Sequence, residues 1–130
     1  MFTHWIGGGG KPYEIDYIQL YYKVISDVGF YETSDERLKN FIGDIEPDFD
    51  KISKIPKKYF KWKNDNSESI NIGTSAQKLM ELYPCLVSET DGKFNVDYAR
   101  LSIIALSAID ELYKEIVELK EKIKKLENNE

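Results

Sequence analysis

Three observations predict an α+β chain. Short stretches alternate apolar and polar residues between turn residues; serine, proline and acidic residues open brief helical patterns among them; and one long helix with a heptad pattern closes the sequence. From the amino end, Gly7 to Gly10 separate a short aromatic start from Tyr13 to Val24. There Ile15, Tyr17, Ile18, Leu20, Tyr22 and Val24 alternate with polar positions, with one phase shift that suggests a bulge. A second strand is expected from Val28 to Tyr31, ending at the Thr33-Ser34 turn. Glu46-Pro47 opens a short helix carrying Phe49, Ile52 and Ile55, because proline and acidic residues suit a first turn; Pro56 stops it. Lys57 to Lys63 and Ile70 to Ile72 read as the strands of a hairpin, joined by the polar loop Asn64 to Glu68. Ser75 caps a helix holding Leu79, Met80 and Leu82, closed by Pro84. Asp91-Gly92 marks a turn between Leu86-Val87-Ser88 and Phe94-Asn95-Val96.

The closing helix, expected over about 97–128, gives the strongest pattern. Ile109, Leu112, Ile116, Leu119, Ile123 and Leu126 follow alternating steps of three and four, with isoleucine at every a position and leucine at every d position. In that register Glu115 at g faces Lys120 at e of a parallel neighbour, and Lys122 faces Glu127. Both pairs attract, which favours a parallel, in-register homo-oligomer. A helix packed on its own domain is the alternative, but its apolar stripe would widen toward period 3.6. Isoleucine at a with leucine at d leans toward dimers, so the heptads leave the number of chains open.

Composition limits the function classes. A chain of 130 residues makes one domain with a modest core, so an elongated part must lean on partner chains. Charged residues make up 32% and hydrophobic ones 42%, a globular balance, with nine tyrosines and six phenylalanines raising the aromatic share to 13%. The net charge of −5 argues against nucleic acid as a partner, because phosphate contacts need a basic face. No apolar run approaches the roughly 20 residues that span a bilayer, and the first residues lack a signal-peptide pattern; a soluble, cytosolic product with no membrane partner is expected. Cys85 is the single cysteine, and its apolar neighbours Pro84, Leu86 and Val87 mark it as a buried small hydrophobe.

Other motifs reduce to structure. Gly10-Lys11 lacks the rest of a phosphate loop, since Trp5 and Pro12 stand where glycine and serine or threonine are needed. Asp44 to Asp50 lacks calcium-loop spacing, and His4 has no cysteine or histidine partners for zinc, so neither a metal nor a cofactor is expected. Alternation from Lys57 to Lys63 puts Phe60 and Trp62 on one face and Tyr59, Lys61 and Lys63 on the other, a half-buried strand rather than a ligand platform. Trp5, Tyr13, Tyr17, Tyr21 and Tyr22 are assigned to strand packing, with a sugar site as the alternative.

Three blocks carry a resemblance. From Tyr31 onward, Thr33-Ser34-Asp35-Glu36-Arg37-Leu38-Lys39 with Ile45-Glu46-Pro47, then Gly73-Thr74-Ser75-Ala76-Gln77 leading to Tyr83-Pro84-Cys85-Leu86-Val87, and finally Val96-Asp97-Tyr98-Ala99-Arg100-Leu101 running into the heptads, occur in order. They are similar to the C-terminal intramolecular chaperone domain of bacteriophage tailspikes and tail fibres, the family of the endosialidase tailspikes and of a related region of myelin regulatory factor. Lys78 departs from it, standing where many relatives carry an acid.

The resemblance implies a homotrimer with a parallel three-stranded coiled coil. Residues 1–33 would be the β-rich end of the fibre and 34–130 the chaperone domain. Its partners would be its own copies and the upstream fibre chain, with a host-surface receptor or glycan reached through the fibre end. The chaperone would act in the host cytoplasm during assembly, and the fibre would stay on the virion tail. The resemblance also implies self-cleavage at Thr33-Ser34, with Ser34 as nucleophile and Lys39 as base, while Asp35 and Arg37 support the motif. A serine hydroxyl needs such a base, and a lysine serves only where its surroundings favour the neutral amine. Five residues apart on a continuous helix, Ser34 and Lys39 would face different ways, so the dyad needs a turn or a neighbouring chain. Apart from the resemblance, the same two residues read as a turn serine and a solvated lysine. The competing functional expectations are a trimerisation module that never cuts and a fragment of a membrane-tethered transcription factor.

Overall fold

The computed structural model describes residues 18–129. The chain divides into two compact units between Phe41 and Ile42.

In the first unit, the regular element among the described residues is one 3-10 turn, Glu36–Leu38. The expected strands are absent here: the described part of the first, Ile18 to Val24, and the whole of Val28 to Tyr31 form no ladder. The physical reason is local as well as global. Ser26 Oγ donates to the Gly29 carbonyl at 2.9 Å, and Gly29 takes a φ of +97°, left-handed backbone that ends strand geometry. Alternating residues also need a partner strand to satisfy their backbone groups, and the described residues offer none. Tyr21 and Tyr22 stay exposed accordingly, while Trp5, Tyr13 and Tyr17 lie outside the described residues.

The second unit is α+β, with small antiparallel sheets and a long final helix. Helix α1, Phe49–Lys54, starts later than Glu46-Pro47 because Asp48 is its cap, accepting the Lys51 backbone N–H at 3.0 Å. At its other end the Lys57 ammonium donates to the Ile55 carbonyl and to the Ile52 carbonyl, which also accepts the Ile55 N–H. Strands β1, Lys58–Phe60, and β2, Asn71–Gly73, pair antiparallel as a hairpin, with Phe60 opposite Asn71. β1 is shorter than the expected Lys57 to Lys63, so Trp62 lies beyond it, but its ring still meets that of Phe60 edge-to-face with centroids 5.2 Å apart. At Gly73 a Cβ would stand 2.7 Å from the Tyr98 hydroxyl and 2.9 Å from the Phe60 ring, so the strand can pass only as glycine unless both rings shift.

Helix α2, Ala76–Leu82, begins at Ser75, whose hydroxyl accepts the Lys78 N–H at 3.3 Å as the sequence predicts. A 3-10 turn, Pro84–Leu86, then leads into β3, Val87–Thr90, and β4, Lys93–Val96, which pair from Val87 opposite Val96 to Thr90 opposite Lys93. Their connection places Asp91 at φ +52° and Gly92 at φ +74°, the two left-handed positions of a tight hairpin turn. Cys85 is exposed, contrary to expectation. The 3-10 turn sends Leu86 into the core and leaves its neighbour outside.

The core is small. Leu79, Leu86 and Ile104 are buried together, with Ile52, Ile55, Tyr83, Val87, Val96 and Leu101 packed around them. Burying one such leucine contributes about 1.5–3 kcal/mol, so few residues carry this unit's hydrophobic stabilisation. Helix α3, Tyr98–Glu127, closes it. Asp97 caps α3, accepting the Arg100 N–H at 3.0 Å and pairing with its guanidinium. No helix among the described residues is long and apolar enough to cross a membrane.

Candidate active site

The first unit's 3-10 turn carries the candidate dyad. The chain enters extended at Asp35, with φ −67° and ψ 121°, turns once, and leaves extended at Lys39, with φ −125° and ψ 148°. Two backbone bonds close the turn, Leu38 N–H to the Asp35 carbonyl and Lys39 N–H to the Glu36 carbonyl, each 3.1 Å. Residues on either side of it are thereby folded toward each other. The Lys39 ammonium donates to the Ser34 hydroxyl oxygen at 2.5 Å. Spacing alone left this meeting to a turn or a neighbouring chain, and within one chain a turn brings the two together.

Asp35 and Arg37 are also joined. The Asp35 carboxylate accepts the Arg37 backbone N–H at 3.0 Å, its Nε at 3.1 and 3.2 Å, and its terminal amino group at 2.7 Å. The Arg37 side chain, then its backbone N–H, holds the Asp35 carboxyl below the usual carboxylate range. The sequence pattern assigned these two only to motif support. An aspartate two residues before a turn N–H is the signal that finds this cap.

The surroundings are open. Ser34 and Lys39 are exposed, and no described residue excludes water from them. Thr33, on the other side of the expected scissile bond, is exposed as well. No group of three or more histidine, cysteine or acidic residues stands ready for a metal among the described residues, and His4 lies outside them.

The second set of expected functional residues lies along α3. Ile109, Leu112, Ile116, Leu119, Ile123 and Leu126 are 46 to 69% exposed. They share one side of the helix, as a period of 3.5 requires, and no described residue covers that side.

In sequence, a turn that joins serine to lysine precedes a small α+β unit whose last helix carries an exposed heptad stripe. A family model described as the chaperone of endosialidase, the S74 peptidase family, matches residues 34–88. The match opens on Ser34 and bears out the family read from the motifs over that segment, somewhat under half of the chain. No curated protein matches the chain.

Proposed function

We propose that this chain is an intramolecular chaperone of a phage tail fibre or tailspike: it gathers three copies through α3, sets the register of the upstream fibre, and then releases itself at Thr33-Ser34. The observation that carries this reading is the 2.5 Å contact between Lys39 Nζ and Ser34 Oγ at the first residue of the family match. In the reaction Lys39 must first give up its ammonium proton to solvent; the Ser34 hydroxyl then attacks the Thr33 carbonyl carbon and the neutral Lys39 amine takes the hydroxyl proton. The Thr33-Ser34 C–N bond breaks as that proton passes to the leaving nitrogen, and water hydrolyses the resulting ester to a Thr33 carboxylate. Trimer packing would supply the burial that the exposed dyad lacks in one chain, coupling the cut to completed assembly.

The physical need for the helper supports the same reading. Fibres interlocked across chains depend on non-local pairing and expose strand edges while they form; a locally formed coiled coil shortens that search. Residues 1–33 would then remain with the fibre on the virion tail, where its end would meet a host receptor or glycan, and 34–130 would leave after acting in the host cytoplasm. The competing reading, a trimerisation module that stays attached, draws support from the same exposure of Ser34 and Lys39.

Intact mass of freshly purified protein under denaturing conditions, beside Ser34→Ala and Lys39→Ala variants, tests the choice. The expected result is a fragment beginning at Ser34 in the wild type and none in either variant. An uncut wild-type chain from a sample shown to be trimeric would leave the permanent module as the function.

A further inference from the structure

We propose that Asp35 is a positioning residue for the Ser34–Lys39 pair, with its carboxylate setting the 3-10 turn that carries the Lys39 amine to the Ser34 hydroxyl and Arg37 clamping that carboxylate in place. The inference rests on the self-cleavage reading for its consequence, and on geometry alone for its structural part. Five residues of extended chain span about 17 Å, far beyond the reach of a lysine side chain, so the contact exists only while the turn does. A single turn is an unfavourable structure by itself, because few hydrogen bonds compensate for the dihedrals it fixes. This one has two backbone bonds, and Asp35 adds a third through the Arg37 N–H.

The clamp explains how a half-exposed Asp35 can do this. Its Oδ1 takes both the backbone N–H and Nε of Arg37, and its Oδ2 takes the terminal amino group at 2.7 Å with Nε at 3.2 Å. The planar guanidinium thus fixes the carboxylate from one side while the backbone N–H fixes it from the other. Residue 37 supplies both contacts, so the turn, the cap and the clamp form one closed local unit around residues 35–39. Arg37 is held off the dyad by the same pairing, and Lys39 is the cation that meets Ser34.

Cleavage rates of the full chain test the proposal, measured for Asp35→Ala, Asp35→Asn and Arg37→Ala beside wild type and Ser34→Ala. Asp35→Ala removes the cap and should slow cleavage at least about tenfold, since small displacements of a catalytic group carry penalties of that order or larger. Asp35→Asn keeps an oxygen for the Arg37 N–H and should restore most of the rate, which a general loss of folding would not allow. Arg37→Ala, which loosens the clamp and leaves the cap, should fall between them.

In parallel, the nuclear Overhauser effect between the Lys39 ε protons and the Ser34 β protons reads the contact directly; it should be present in wild type and Asp35→Asn and lost in Asp35→Ala. Wild-type cleavage in Asp35→Ala, with Ser34→Ala uncut, overturns the proposal, as does Asp35→Asn failing to exceed Asp35→Ala. An uncut wild type sinks the self-cleavage reading instead. The proton contact then decides the turn by itself, and its survival in Asp35→Ala would overturn the positioning role.

Discussion

The first turns of α3 and the turns that follow use the same kinds of apolar residue in opposite surroundings. Near its start, Leu101, Ile104 and Ala108 face the core, and Ile104 and Ala108 are buried there. From Ile109 onward the isoleucines and leucines of the heptads are uncovered. The two sets also lie on different sides of the helix. At about 100° per residue, the 101-104-108 face and the 109-112-116 stripe are offset by roughly a quarter turn. Toward the amino end the stripe's own positions are occupied by Ala105 and Ser102, both exposed. One helix therefore carries two separate apolar faces, one packed on the core and one exposed.

The largest effect should come from the core face's partner. Leu79 is fully buried at the centre of the small cluster, and Leu79→Ala should cost about 2–5 kcal/mol through lost burial and the cavity left behind. With so few core residues, that loss should unfold the second unit, seen as a collapse of the far-ultraviolet circular dichroism transition at every protein concentration. Retention of the wild-type midpoint would mean that most of the unit's stability arises between chains.

The stripe should respond differently. Ile116→Ser combined with Ile123→Ser removes two a positions outside the core cluster, so residues 42–108 should keep their fold while the proposed trimer dissociates. The end of α3 beyond Ala108 should then fray, because a helix of that length without packing is marginal in water. Sedimentation and circular dichroism at several concentrations would read both changes. A monomeric wild type at micromolar concentration would instead make the stripe irrelevant to assembly and sink the trimer reading with it.

What the sequence made legible divides along the same line between local and non-local. The Ser75 cap, the Asp91-Gly92 turn and the closing helix each depend on residues within a few positions, and each stands where the pattern put it. The strands expected at Ile18 to Val24 and Val28 to Tyr31 do not, because alternation says which side would face a partner and is silent on whether this chain holds one. Cys85 misled for a related reason. Apolar neighbours predict burial only if the backbone runs straight, and a 3-10 turn there rotates Leu86 inward and Cys85 out. For the dyad, the residues came from a family likeness and the geometry from the turn; the five-residue spacing by itself pointed away from contact.

The smallest effect should come at the packed end of α3, where Asp97 caps the helix. The Arg100 side chain first, and then the Arg100 backbone N–H, hold the Asp97 carboxyl below the usual carboxylate range. A carboxyl whose folded value is lowered binds its proton less readily folded than unfolded. Its contribution is therefore present above the unfolded value of about 3.9 and is lost as pH falls through the lower folded value. Asp97→Asn keeps an acceptor for the Arg100 N–H and removes only the charge, so it isolates that contribution. Asp35 and Asp65, whose carboxyls are also held low, are the same in both proteins and cancel in the difference. The thermal midpoint of wild type should exceed that of Asp97→Asn by a small margin at neutral pH, and the margin should shrink below about pH 4. It should also shrink near 1 M salt, where screening acts within about 3 Å, because Asp97 pairs with Arg100 at a surface open to solvent. A margin that persists unchanged into acid would assign the cap's value to hydrogen bonding rather than charge, and the start of α3 would then be as insensitive to pH as the apolar stripe at its other end.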